Sequence, residues 1–207
     1  SGYGNNGGCL VNACPTLSAG KIKNGYSFDG IYSPNTGGQF ISIQDNPNLE
    51  IPGELTVSVW VYAKSNSTVE GRTVLSKYDY NAGTERGWNL GLDWVGSYFG
   101  FQVNHPNGTR IVAMNGTFFI GGLNKWTHFI GVYKPNAFMR LYQNGVLVNE
   151  MNASVPVNII YSSALDPVTI GKRSVQNQSN FNGTIDEVRI YNRSLNAQEV
   201  YYLYKYG

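Results

Sequence analysis

Apolar and polar residues alternate along most of this chain with a period of two, as on a β-strand with one face buried. In "LTVSVWVYA", Val57, Val59 and Val61 fall on one face and Ser58, Trp60 and Tyr62 on the other. Both faces carry large side chains, so both are expected to be covered. "GQFISIQ" alternates in the same way, with Ile41 and Ile43 together. Further strands are predicted in "RTVLSKY", "GWNLGLDW", "YFGFQVN", "GTRIVAMNG", "KWTHFIGVYK", "PVTIGKR" and "GTIDEVRIYN". "MRLYQNGVLVNE" predicts a two-residue hairpin at Asn144-Gly145, because a type I′ turn needs positive φ at both positions. The pattern becomes helical only near the end. In "NAQEVYYLY", Asn196 can cap the N-terminus with Glu199 three residues on, and Val200, Leu203 and Tyr204 share a face. Many short antiparallel strands and one short helix predict an all-β, two-sheet antiparallel jelly-roll sandwich with a short C-terminal helix.

The length, 207 residues, suits one large β domain. Residues 1–20, rich in Gly and Asn and weakly periodic, read as a tail or linker, and residues 21–207 as the folded domain. Charged residues make up 14%, well below the usual quarter. The formal net charge is +2, with no Lys/Arg cluster, so nucleic-acid binding lacks its electrostatic footprint. No apolar run is long enough to span a bilayer. The only cysteines, Cys9 and Cys14, can close a small disulfide loop. Seven N-x-[ST] sequons occur, at Asn66, Asn107, Asn115, Asn152, Asn177, Asn182 and Asn192. Chance would give roughly three at these frequencies. Sequons and cysteines together predict a secreted or cell-surface glycoprotein.

Several stretches, in order, resemble a known family. "SFDG" followed by "FISIQDNPNLEIPGELTVSVWVYAK" resembles the start of the laminin G-like, concanavalin A-like jelly roll. "TVLSKYD", "NKWTHFIGVYKPNAFMRLYQNGVLV", "VTIGKR" and "FNGTIDEVRIYNRSLNAQEVYYLY" resemble its later strands and terminal helix. The resemblance covers roughly residues 21–206. It implies two packed sheets, one of them concave, with the "SFDG" and "IDEVRIY" segments close together. It also implies binding rather than catalysis: recognition of glycans or protein surfaces, often with a structural calcium ion.

Three groups of residues are candidates for chemistry. On a regular strand Asp186 shares a face with Val188 and Ile190 and so points inward, where an unpaired carboxylate is costly. With the proximity the resemblance implies, Asp29, Gly30 and Asp186 are the expected oxygen ligands of calcium. Backbone amides, Arg189 or Lys172 are the other partners open to Asp186. Asp186 and Glu187 are adjacent and point to opposite faces, so they cannot flank one glycosidic bond. Jelly-roll glycanases place carboxylates along one strand in an E-x-D-x-x-E-like run, and no such run occurs here. No G-x-S-x-G elbow occurs either, and no enzyme is expected. The aromatic segment "KYDYNAGTERGW" combines rings with planar polar groups, the chemistry of a glycan site. Its expected ligand-binding residues are Tyr78, Asp79, Tyr80, Arg86 and Trp88. His128 reads as a buried structural histidine. The sequence thus predicts a calcium-stabilised extracellular module that binds glycans or cell-surface glycoproteins. The competing expectation is a homo-polymer: a structural subunit of a glycosylated layer or filament, with residues 1–20 contacting a neighbour.

Overall fold

Strand alternation along the chain resolves into two antiparallel sheets packed face to face. The computed structural model describes residues 4–65, 73–81, 84–92, 99–105, 107, 110–114, 122–161, 166–174 and 180–207, with backbone only at 80, 81, 92, 110 and 114. The described strands are β1 (Gly7–Gly8), β2 (Thr16–Ala19), β3 (Asn24–Asp29), β4 (Ile41–Ile43), β5 (Leu55–Ala63), β6 (Thr73–Asn81) and β7 (Thr84–Leu92). They continue with β8 (Phe99–Asn104), β9 (Arg110–Met114), β10 (Trp126–Lys134), β11 (Phe138–Gln143), β12 (Val146–Met151), β13 (Val168–Ile170) and β14 (Asn182–Tyr191). Among the described residues one α-helix, α1 (Ala197–Tyr206), follows β14, and a single 3-10 turn spans Pro47–Leu49. Sheet I has the order β1-β4-β13-β6-β7-β8-β9 and sheet II the order β12-β11-β10-β5-β14-β3-β2.

The core lies between the sheets. Val57, Val59 and Val61 of β5 are fully buried there, with Phe129 and Leu141 from the same sheet. Trp88, Leu90, Phe99, Phe101 and Val103 meet them from sheet I. Phe99 and Phe129 stack with ring centroids 3.7 Å apart. Gly131 lets the layers approach, since a Cβ there would lie 2.3 Å from the Phe101 ring. Each fully buried aliphatic or aromatic side chain contributes about 1.5–3 kcal/mol relative to exposure.

The outer face of sheet II is covered as well, as the two apolar sides of β5 required. Val200 and Leu203 of α1 pack on Ile130, Val132 and Tyr142. Asn196 caps α1, accepting from the amides of Gln198 and Glu199, while Glu199 reaches back to the Asn196 amide. The β11–β12 turn has Asn144 at φ 50° and Gly145 at φ 78°, as the type I′ geometry demands. The Asn144 side chain also accepts from the His128 amide at 2.9 Å, tying the turn to β10.

Two segments depart from the sequence expectations. Residues 1–20, read as a tail or linker, supply an edge strand to each sheet: β1 pairs with β4, and β2 with β3. Their side chains are mostly exposed, so no apolar alternation announced them. Gly7 fits at this edge because a Cβ would lie 2.4 Å from Ile41 Cγ2. The second departure is in β14, whose pairing with β5 shifts register between Asp186 and Arg189. Glu187 takes φ 50° at this bulge. The two-residue period is therefore broken. Ile185 is buried in the core, whereas Asp186 stands opposite Trp60 on the outer face of sheet II. The expectation that Asp186 shares an inward face with Val188 and Ile190 is corrected by this bulge.

Candidate functional site

The expected calcium ligands do not come together. Asp29 pairs with Asn182 across β3 and β14, four residues from Asp186. That offset is about 13 Å along a strand, too far for both carboxylates to hold one ion. Each is otherwise engaged. Asp29 Oδ1 accepts from the Ile31 amide at 2.9 Å, with Gly30 between them at φ 71°. Asp186 Oδ2 accepts from the Ile22 amide at 2.9 Å and Oδ1 from the Glu187 amide at 2.8 Å. Asp29, Gly30 and Asp186 thus do not fit a single calcium ion. Glu187 is ion-paired to Arg189, so this acid pair is committed to local structure.

The aromatic segment is a β-hairpin ladder, β6 with β7, and its rings are not displayed. Tyr78 and Trp88 are each 1% exposed and Asp79 is 5% exposed. Trp88 belongs to the core between the sheets, paired with Lys77 on the same face. Lys77 is buried too; its ammonium bonds Asp45 Oδ1 at 2.5 Å and the Asp166 carbonyl at 2.6 Å. Arg86 stands half-buried opposite Asp79. The Tyr80 side chain lies outside the described residues. Tyr78 and Trp88 were expected to offer ring faces to a ligand; burial on both sides of this strand removes that role.

Polar chemistry gathers on the outer face of sheet I. Directly paired residues share a face, and one cross-strand row runs Thr169, Ser76, Asn89 and Gln102 over β13, β6, β7 and β8. Asn104, two residues beyond Gln102 on β8, continues it. Gln102 Nε2 donates to Glu85 Oε2 at 3.0 Å and to Asn104 Oδ1 at 2.7 Å. Ser174 Oγ accepts from the Tyr78 amide at 3.2 Å and donates to the Ser76 carbonyl at 3.1 Å. The Arg173 guanidinium sits 4.6 Å from the Tyr78 ring centroid. Asn89, Gln102 and Asn104 are all buried, yet Asn89 Oδ1 and Asn104 Nδ2 find no partner among the described residues. In the sequence, Glu85 and Asn89 stand with the polar groups of "KYDYNAGTERGW" as glycan chemistry, whereas Gln102 and Asn104 show only as amides at alternate positions of "FQVN", between core residues.

On sheet II, His128 Nε2 lies 2.9 Å from Ser58 Oγ, and its ring stacks on Trp60 at 4.8 Å. Burial, with Arg189 nearby, pushes its pKa down to about 3. His128 Nδ1 is buried with no partner among the described residues, so no acid orients the ring as a catalytic base requires.

Cys9 and Cys14 are joined as a disulfide. Asn107, Asn152 and Asn192 are exposed, and Asn182 is half-buried at the start of β14. Asn66, Asn115 and Asn177 lie outside the described residues. No helix among the described residues is long and apolar enough to cross a membrane.

Comparison with solved structures returns the same architecture. The binding domain of Paraclostridial Mosquitocidal Protein 1 superposes with a TM-score of 0.75 at 17% identity, over 98% of this chain and 48% of that one. The binding domain of botulinum neurotoxin DC in complex with rat synaptotagmin II gives 0.71 at 16% identity, over 98% and 47%. Domain 4 of AbnA, a GH43 extracellular arabinanase from Geobacillus stearothermophilus, in complex with arabinotriose, gives 0.66 at 22% identity, over 91% and 80%. This chain spans about half the length of the toxin binding domains it matches. No curated protein matches the sequence. The family model of the concanavalin A-like lectin/glucanase superfamily matches residues 35–201. With that match over most of its length and the two-sheet jelly roll beneath it, the chain belongs to the concanavalin A-like lectin/glucanase superfamily.

Proposed function

We propose that this chain is a non-catalytic binding module whose ligand is a glycan, held on the outer face of sheet I. The observation that carries the proposal is a pair of amide atoms with no partner among the described residues, Asn89 Oδ1 and Asn104 Nδ2, beside Gln102. A buried polar atom left unpaired costs about 1–3 kcal/mol. Sugar hydroxyls both donate and accept, so a ligand that gains access to this buried row would satisfy these atoms. The neighbouring Glu85, Ser76 and Arg173 extend the same hydrogen-bonding set. Glu85 is the one carboxylate in the described part of this row, whereas glycoside hydrolysis uses two.

The solved structures support binding as the class of function. Their names include binding domains of neurotoxins and an arabinanase domain holding arabinotriose. The disulfide and the exposed sequons at Asn107, Asn152 and Asn192 support an extracellular or cell-surface setting. A second reading, a self-assembling subunit of a surface layer or filament, draws on residues 1–20. Their strands β1 and β2 are outermost in the two sheets, and Leu10 and Val11 stand exposed on the disulfide loop.

A glycan array followed by calorimetry tests the primary reading. Binding to at least one neutral oligosaccharide is expected, weakened tenfold or more by Asn89→Ala or Gln102→Ala with the fold retained. Absence of binding across the array, or binding that survives both substitutions, removes the site.

A further inference from the structure

The two sheets part along one side of the molecule, where β1 and β4 of sheet I face β2 and β3 of sheet II. Directly paired residues share a face, so burial can be followed from strand to strand. Val61, Ile185, Tyr26 and Leu17 form one row on the inner face of sheet II, and they are 0%, 2%, 44% and 59% exposed. On sheet I, Val168 is fully buried, its partner Ile43 is half-buried, and Gly7 ends the row with no side chain. Between the two edges is a cleft of about 440 Å³. Ile41, Ile43 and Ile170 line it from sheet I, and Phe28, Ile185 and Val188 from sheet II. The chain crosses from one edge to the other, β1 to β2, through the loop that the Cys9–Cys14 disulfide closes. Cys9 and Pro15 border the cleft, and Ala13 of the same loop is buried, so the crossover ties the two edges beside it.

The walls restrict what can sit between them. Native interiors leave few spaces wider than a water molecule, and apolar surface facing water is unfavourable in proportion to its area. A sugar pressed against these isoleucines would give up water for side chains that offer no hydrogen bond. An extended peptide needs free main-chain groups. Both wall strands are already paired on each side, β4 with β1 and β13, and β3 with β2 and β14. Charge narrows the choice further. Among the described residues the charged borders of the cleft are Asp186 and Glu187, at the β14 bulge. Asp186 accepts from the amides of Ile22 and Glu187, and Glu187 is ion-paired to Arg189. The acids are therefore committed to local structure, and a carboxylate or phosphate brought beside them meets like charge.

We infer that this cleft binds an uncharged alkyl chain, laid between the isoleucines of sheet I and Phe28, Ile185 and Val188 of sheet II. Binding removes aliphatic surface from water on both walls and gains dispersion contacts with each. The polar end of the ligand stays at the mouth, where Asn24 is exposed. The cleft shares no residue with the amide row on the outer face of sheet I and does not rest on that reading.

1-Octanol is the probe, with octanoate and glucose as controls. The full chain carries ¹³C in its isoleucine methyl groups, and the signals of Ile41, Ile43 and Ile170 are assigned by their loss in Ile41→Val, Ile43→Val and Ile170→Val. Octanol is expected to shift these three signals and to leave that of Ile130, which packs under α1 on the far face of sheet II. Glucose should shift none of them, and octanoate should bind at least tenfold more weakly than octanol. Ile43→Phe and Val188→Phe each fill the cleft from one wall and should raise the octanol Kd at least tenfold. An Ile130 signal at its native position shows that either variant is folded, and one folded variant suffices for this comparison. The inference is overturned if octanol moves no wall signal, if it moves Ile130 as much as the walls, or if a folded, filled variant binds like the native protein. Octanoate that matches octanol overturns the assignment to an uncharged chain.

Discussion

His128 shows how burial of one side chain sets a dependence of the whole fold on pH. The ring is neutral in the folded protein because its pKa is about 3, against the ordinary 6.5. Below pH 6.5 the unfolded chain takes up a proton that the folded chain refuses. Stability from this residue is therefore complete above pH 6.5 and declines as pH falls toward 3, by about 1.4 kcal/mol per pH unit. Glu54 adds a lower window. Bonds from the Ser194 amide and hydroxyl, with Lys134 alongside, hold its pKa at about 2, so its contribution fades below pH 4.5. Urea unfolding between pH 7 and pH 4 should show the first slope, and His128→Phe should flatten it while keeping a ring against Trp60. An unchanged slope in that variant would assign the dependence elsewhere. The buried state of His128 was readable from its strand pattern. The burial of Tyr78 and Trp88 was not, because alternation names two faces and leaves open whether the outer one is covered. Asp186 was misplaced for a different reason: a single residue at positive φ, Glu187, reverses the parity of everything after it.

At the scale of elements, the best-read parts were those with local chemistry of their own. The Asn144-Gly145 turn and the Asn196–Glu199 capping box are each fixed by two residues, and both formed as read. The ten-residue α1 is too short to persist alone, so the cap and the Val200 and Leu203 contacts with sheet II must act together. Asn196→Ala is expected to cost about 1 kcal/mol in urea unfolding. No measurable loss would mean that packing alone sets where the helix starts. The amide row on sheet I belongs to the opposite class. Thr169, Ser76, Asn89 and Gln102 are far apart in the chain and become neighbours only through strand order. A sequence shows each of them as one polar residue in an apolar run. The β1 and β2 strands were missed because their pairing is made by backbone rather than by side chains.

For the whole molecule, the two readings of function differ in whether copies associate. A binding module works as a monomer, whereas a layer or filament subunit places residues 1–20 against a neighbour. Light scattering on native material should return a single monomeric mass across a wide concentration range. A polymer that dissociates when residues 1–8 are displaced would favour the subunit reading instead. Sheet I ends in β1, two glycines long. Fibril growth by edge-on stacking needs a long row of free amides and side chains that interlock above it. Gly7–Gly8 offers neither, so this rim of the molecule is guarded against cross-β growth by brevity and bareness rather than by charge.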